Sequence, residues 1–513
     1  MRGWDKLPHE VLYQIFSFLK RADLANCIVT CKAWYASAND DLLWKRLFLA
    51  AFELPKTTVI KSNAFGWKTE HKRLTDEVPS ELVQTLTQHT NEVLHVRFSH
   101  DGQELVSCSK DHTFIVWTDQ IGEGFQPCFH SDMSFYAWEH TWAAQFSPND
   151  SLLMVSGVVS EVKGEIAIFS TGRSSHQRGA HGNYQILSRV ANDPYDMLGC
   201  WCTDRFFLSG SIKIYSPSIV ASVWLCQPVQ ADGDISLGST LKVLCKYANP
   251  PGGEIYARFL QVHPRSAFNY ESLKWPSIDA PMEEYQSDEE MASVDLPAAE
   301  GVQNSAFDLA KEAQEIIDQE MCLIFICSSR TFIPHQIGFQ RIKASDLTEH
   351  TEVRNSAEKV VDLEGHIVGI GLSPDYRELY VNVRCWPSQS VPTMDNPPCI
   401  SNQIEMRVID LETFQVKPQP LRGHVGVTPS EEAFYLYLDV SQNLVGSGSE
   451  DKKGYIWDRY YQCNVSKLEH NQCVNCVAFR PSAVICATAS DDHTIKIWQS
   501  KQETRKRRST CAK

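Results

Sequence analysis

Apolar and polar positions alternate with two different periods along this chain. From Leu7 to Phe48 large apolar residues recur three and four apart: Val11, Leu12, Ile15, Phe16 and Leu19, then Leu24, Ile28, Cys31 and Trp34, then Leu43, Trp44, Leu47 and Phe48. That spacing predicts three short helices with one apolar face each. Pro8 suits the first turn of the first helix. Asp23 reads as the N-cap of the second, and Asp40 or Asp41 opens the third. From Leu82 onward the period shortens to brief apolar runs separated by turn residues, the mark of all-β structure. In between, Trp67 to Leu74 is a helical stretch ended near Pro79, and Phe65 and Trp67 predict that this connection packs rather than hangs free.

One β pattern repeats. His470, Asp492 and Trp498 sit on three consecutive segments, with Asp492 in the Asp491-Asp492 turn. His89, Asp111 and Trp117 have the same spacing, and His424, Asp451 and Trp457 form a third set with a longer gap between His and Asp. A sheet of three or four such strands cannot bury both faces alone, so copies must stack.

These residues resemble the WD-repeat family, in which each copy is one blade of a β-propeller. The resemblance implies that the Asp in its turn pairs with the His imidazole, which links on to a strand Ser or Thr and to the Trp indole. His89, Asp111, Trp117, His424, Asp451, Trp457, His470, Asp492 and Trp498 are therefore expected to be structural. A buried network of that kind is stabilising only when all its polar groups are satisfied. Catalytic His–Asp pairs are the rival reading, and no nucleophile recurs beside them.

The opening stretch, LPHEVLYQIFSFLKRADLANCIVTCKAWYASANDDLLWKRLF, resembles the F-box: a Leu-Pro start, Ile-Phe in the first helix, Cys-Lys-x-Trp in the middle and Leu-Trp-Lys near the end. Fewer than 50 residues cannot hide so many large side chains, so the segment either caps the propeller or docks on a partner. The resemblance implies the second: F-boxes bind the Skp adaptor of cullin–RING ubiquitin ligases. Leu7, Pro8, Val11, Leu12, Ile15, Phe16 and Leu19 would supply that apolar contact, with Trp34 and Trp44 as internal struts.

The whole chain then reads as residues 5–49, the F-box; 50–81, a helical linker; 82–499, a seven-bladed propeller; and 500–513, a basic tail. The fold class is a small all-α domain plus an all-β WD-repeat propeller with a long acidic insertion in the fourth blade. Leu82 to Leu86 would complete the blade that ends at Trp498 and close the ring. The first blade runs 87–124, the second about 125–172, and the third 184–228, including a strand Ile186 to Val190. The fourth starts with strands at Leu241 to Lys246 and Ile255 to Val262, is split by the insertion at about 264–321, and resumes at Leu323 to Cys327. The fifth contains His366 and a Pro-rich insert, Trp386 to Pro398.

Composition narrows the function. A net charge of −15 argues against nucleic acid as partner. Seventeen cysteines without a framework point to a reducing compartment, and Cys473-x-x-Cys476 reads as two buried thiols. No stretch approaches the roughly 18 apolar residues needed to cross a bilayer, so membrane is not expected, and the start has no apolar signal core. A cytoplasmic protein is expected, with Arg505 to Arg508 read either as a solvated end or as a nuclear-import signal. The insertion carries Asp279, Glu283, Glu284, Asp288, Glu289, Glu290, Asp295 and Glu300 without a basic residue among them; it reads as a solvated loop, with Ser287 resembling an acidophilic-kinase site and Ala306 to Met321 as a short helix.

No phosphate loop, metal-ligand cluster or catalytic constellation appears, so neither metal nor cofactor is expected and the chain is not expected to be an enzyme. Together the parts resemble the F-box/WD-repeat family of ubiquitin-ligase substrate receptors: one end on the Skp adaptor and, through it, the cullin–RING ligase, the other on protein substrates. A plain scaffold is the alternative. Members that read phosphorylated peptides use clustered arginines, whereas Arg97, Arg354, Arg384 and Arg422 are scattered here. Trp457-Asp458-Arg459 resembles a motif that joins some WD-repeat proteins to a second cullin ligase through its large adaptor, with the arginine one position early; the ordinary alternative leaves Arg459 in solvent.

Overall fold

The computed structural model describes residues 7–120, 123–160, 163–172, 183–193, 199–215, 218–228, 240–248, 258–263, 321–328, 331, 333–342, 353–354, 357–387, 398–429, 435–481 and 485–511. Ser287, the acidic run and most of the 306–321 segment lie outside them, although Met321 opens a strand. So does most of the Pro-rich insert.

The helical region has four helices rather than three: α1 (His9–Phe16), α2 (Arg21–Ile28), α3 (Lys32–Ala38) and α4 (Asp41–Ala51). The predicted second helix breaks at Thr30–Cys31, where the chain turns to start α3. Asp23 lies inside the first turn of α2, which no side chain caps. Asp40 is the N-cap of α4 and accepts from the Leu42 and Leu43 amides. Helix α5 (Trp67–Asp76) follows the connection.

Seven sheets make the propeller. Blade one comprises Val93–Phe98, Glu104–Ser109, Thr113–Gln120 and Gly124–Asp132; blade two His140–Phe146, Leu152–Ser160, Lys163–Ser170 and Gln185–Ala191. Blade three has Cys200–Trp201, Phe207–Tyr215, Ser218–Cys226 and Thr240–Ala248, with Val353–Arg354 added in parallel at its edge. Blade four pairs Arg258–His263 with Met321–Cys327 across the insertion, then adds Gln336–Ile342 and Lys359–Asp362. Blade five has Gly365–Leu372, Glu378–Cys385, Ile404–Asp410 and Gln415–Val416; blade six Leu438–Val440, Leu444–Ser447, Lys453–Asp458 and Asn464–Glu469.

Blade seven takes Val474–Phe479, Ile485–Ser490 and Ile495–Ser500 from the end of the chain and Pro79–Leu86 from before blade one. Leu82 faces Trp498 and Leu86 faces Ile495, so the ring closes by strand pairing. The strand starts three residues earlier than the apolar run suggested.

Three boundaries differ from the sequence expectation, all in one direction. Residues 125–132, 185–191 and 241–248 complete blades one, two and three instead of opening the next blade. Outer strands are only half covered and carry weak apolar signal, so proximity in sequence misassigns them. Inner strands are the opposite case. Ile485–Ser490 is buried throughout, because a neighbouring blade covers each face.

The tail adds a helix that the polar sequence did not signal, α6 (Lys501–Cys511), packed against the closing strands and α5.

Candidate partner-docking site

Helices α1 to α4 enclose a core of Leu12, Phe16, Leu24, Leu43, Trp44 and Phe48. Trp44 donates its indole N–H to the Ala38 carbonyl at 2.8 Å, and Trp34 meets Phe16 edge-on. His9 binds Ser37 at 2.9 Å and Asp40 at 3.1 Å, which fixes the start of α1 against the α3–α4 corner.

Two apolar stripes run along α1. Leu12 and Phe16 are each 1 % exposed and belong to the core, which corrects their assignment as contact residues. A side chain held among its own domain's helices is not available to a partner. Pro8, Val11 and Ile15 face outward, and Leu7 and Leu19 are half-buried. Phe18, 83 % exposed, extends the outer stripe. Its spacing from Pro8, Val11 and Ile15 was the signal for it. Val29, Tyr35 and Leu42 are further exposed apolar side chains of the same domain. Such surface on a small domain marks an interaction site.

The domain is fixed on blade six. Asp458, buried, accepts from Arg73 of α5 at 2.8 Å and from the Tyr460 and Tyr461 amides at 3.1 and 2.8 Å. Glu70 holds the other side of the Arg73 guanidinium. Tyr461 packs against Phe48 at 4.9 Å, and its hydroxyl accepts from the Lys61 amide. Lys61 also reaches Asn443 at 2.9 Å. Arg21 pairs with Asp76, tying α2 to the end of α5. Trp67 is buried here, but Phe65 is almost wholly exposed, against expectation. Its neighbour Gly66, at φ +128°, turns it away.

Arg459 is not in solvent. It donates to the Tyr380 hydroxyl, to the Ser441 and Gln442 carbonyls and to Glu378, the last at 2.8 Å. Trp457 is buried inside the blade. The three residues that resemble a second-ligase motif are thus engaged within this chain, as blade core, seat for α5 and brace between blades.

The polar networks of the propeller divide two against one. In blade one His89 bonds Asp111 at 2.9 Å and Ser107 at 2.8 Å, and Trp117 donates to the same Ser107 at 2.9 Å. Blade seven repeats this with His470, Asp492, Thr488 and Trp498 at 3.0, 2.7 and 2.9 Å. Burial raises the Asp111 and Asp492 carboxyls, but the imidazole, the following Thr and the backbone amide after the His together hold both well below the usual range.

Blade six departs. His424 bonds Asn382 of blade five at 3.0 Å, and Asn382 bonds Ser447. Asp451 bonds Ser449 and the Tyr455 hydroxyl, and Trp457 donates to the Arg422 carbonyl. The expected His424–Asp451–Trp457 network is therefore absent. The longer loop after His424 brings its ring in elsewhere, and Tyr455 occupies the carboxylate oxygen that a histidine takes in the other two blades. All three turns still place the residue after the Asp at positive φ: His112, Lys452 and His493.

The scattered arginines do not converge. Arg97 pairs with Asp439 and Arg422 with Glu405, while Arg384 is buried and binds the Ser401 and Thr428 carbonyls. Of Arg354 only the backbone strand is described. Cys476 is buried and Cys473 partly so; burial pushes the Cys476 thiol up to about 12. Among the described residues no group of three or more possible metal ligands occurs, and no helix is long and apolar enough to cross a membrane.

A four-helix domain with an exposed apolar stripe, mounted on a seven-bladed propeller of WD type, defines a protein class. Residues 4–50 match the F-box-like family model, and residues 80–118 and 462–499 match the WD domain, G-beta repeat. The chain belongs to the F-box/WD-repeat family. It is 34 % identical over 557 residues to F-box/WD repeat-containing protein 5 of Homo sapiens, covering 98 % of this chain and 96 % of that protein. The Mus musculus protein of the same name matches at 34 % over 97 % of this chain and 94 % of its own. A WD repeat-containing protein WDS homolog of Arabidopsis thaliana is 23 % identical over 82 % of the chain and 58 % of its own length.

Proposed function

We propose that this chain is the substrate-recognition subunit of a Skp–cullin–F-box ubiquitin ligase, itself non-catalytic, which marks a target protein for proteasomal degradation. The observation that carries it is the outward stripe Pro8, Val11, Ile15 and Phe18 on a domain held rigidly to the propeller. The rate gain would come from holding target lysines near a charged ubiquitin carrier, a proximity effect that needs a stiff mount. The propeller supplies variable loops on a rigid disc for the target. A cytoplasmic site of action, extending to the nucleus, fits the free thiols and the basic tail.

The test separates surface from core. Val11→Glu with Ile15→Glu leaves the melting temperature unchanged and abolishes co-purification of the Skp adaptor. Leu12→Ala lowers stability by about 3 kcal/mol, as for other buried leucines. If the double variant retains the adaptor, the reading fails. If it loses the adaptor but no protein accumulates on the chain in cells, the scaffold alternative replaces degradation. Membership of a second cullin ligase has less support, since Asp458 and Arg459 are already committed inside the chain. Undiminished capture of its large adaptor by Arg459→Ala would remove the remaining case for that stretch.

A further inference from the structure

The corner where α3 runs into α4 gathers three parts of the chain. His9, at the start of α1, bonds Asp40 at 3.1 Å. The Trp67 amide, at the start of α5, donates to the Asp41 carboxylate at 2.8 Å. Gly66 lies so close to that carboxylate that a Cβ would stand 3.0 Å from its Oδ1, and its φ of +128° is one that a side chain rarely adopts. The first turn of α1, the first turn of α4 and the residues just before α5 are thereby fixed to one another.

Trp67 turns in from this corner and packs on Phe48, with ring centroids 5.2 Å apart. Phe65, two residues earlier, stays 96 % exposed, and Leu42, next to Asp41, is 66 % exposed. A phenyl ring is one of the largest apolar surfaces a side chain can bury, and here an anchored segment holds it in water. No F-box position predicts it, since Phe65 lies beyond the residues 4–50 that match the F-box-like model. Pro8, one residue before His9, and Val11, one turn further, begin the outward stripe of α1. Leu42 and Phe65 each stand one residue from the Asp41–Gly66 contact, so they carry that apolar surface round the corner and onto the connection. Continuity with the α1 stripe decides the occupant.

We infer that Leu42 and Phe65 form a second pad of the adaptor-docking surface, so that the Skp adaptor bears on the connection after the F-box as well as on α1. The inference rests on the ligase reading above and extends it. The connection also bonds blade six through Lys61. An adaptor seated on both α1 and the connection therefore has its angle to the propeller fixed by two separate pieces of chain, which is what proximity-driven transfer requires.

Calorimetric titration of the purified full chain with the purified Skp adaptor tests it. Phe65→Ala binds about tenfold more weakly than the unaltered chain, a loss typical of an interface anchor, and Leu42→Glu with Phe65→Glu binds more weakly still. Phe65→Leu restores most of the affinity, because the contact is apolar. Thermal melts of all three stay unchanged, since both positions are exposed. The tenfold ratio persists at about 0.5 M salt, where charge contacts are screened. Val11→Glu with Ile15→Glu is the comparison. If it abolishes binding while the Phe65 and Leu42 variants bind like the unaltered chain, the pad is overturned and the ligase reading stands. If the unaltered chain does not bind the adaptor at all, both fall. If the double glutamate variant at Leu42 and Phe65 turns a dimer of the free chain into a monomer in sedimentation and leaves adaptor affinity unchanged, a second copy occupies the pad and the inference is wrong.

Discussion

Blades six and seven carry the same residue types, a His before the blade, an Asp in the middle turn and a Trp on the third strand, and they use them differently. In blade seven the three meet on Thr488 and close a local network. In blade six the His reaches across to Asn382 of blade five, and the Asp takes a tyrosine. Blade seven is also the blade built from both ends of the propeller, whereas blade six carries the F-box domain at Asp458 and Tyr461, where its third strand turns into its fourth. The self-contained network stands where the ring is sealed. The network that leans on a neighbour stands where the load is attached.

Removal of residues 79–86 should have the largest effect. It strips blade seven of a full strand and opens the ring, and we expect loss of a single cooperative transition and of several kcal/mol, a large part of a typical 5–15 kcal/mol total. An unchanged calorimetric melt would mean that the seal is not where stability resides. Next in size, Asp492→Ala leaves His470 buried without its partner and should cost about 3 kcal/mol. Asp451→Ala removes two hydrogen bonds from hydroxyls to the carboxylate but strands no imidazole, and should cost less, about 2 kcal/mol. Equal losses in urea titrations would erase the distinction between the two blades.

The pH dependence separates them further. Burial holds His424 and His95 neutral, with folded values of about 3. Their unfolded values are near 6.5. Folded values below unfolded ones mean that stability is complete above about pH 6.5 and falls as pH drops toward the folded values, by about 1.4 kcal/mol per pH unit per group. His424→Gln should remove one such contribution and flatten the slope between pH 6.5 and 4.5. Asp111 and Asp492 are depressed carboxyls, so their stabilisation is present above about pH 4 and is lost only as pH falls further. Substitution of Asp492 by Asn should remove that part of the acid limb and, because the carboxylate also counteracts the lowering of the buried His470, should deepen the loss of stability below about pH 6.5.

Much of the helical domain was legible and its outward face was only half so. The spacing of Val11, Leu12, Ile15, Phe16 and Leu19 marks a helix with a broad apolar arc. It does not say which half of that arc the domain keeps, because Leu12 and Ile15 look alike until α3 and α4 are packed against one of them. Likewise Arg459 reads as an exposed basic residue next to a Trp-Asp pair. Its partners Glu378 and Tyr380 lie some eighty residues earlier and in another blade.

The amino-acid order alone determined the two modules, the repeat spacing and the joining of the propeller's ends, since periodicity and turn chemistry are local properties that survive without long-range contacts. Only the tertiary structure decided which strands finish which blade, which of three similar His–Asp–Trp sets becomes a network, and that the Asp458 carboxylate grips the F-box domain. Each of those depends on a side chain distant in sequence arriving within about 3 Å, a hydrogen-bond distance, and no local pattern encodes that arrival.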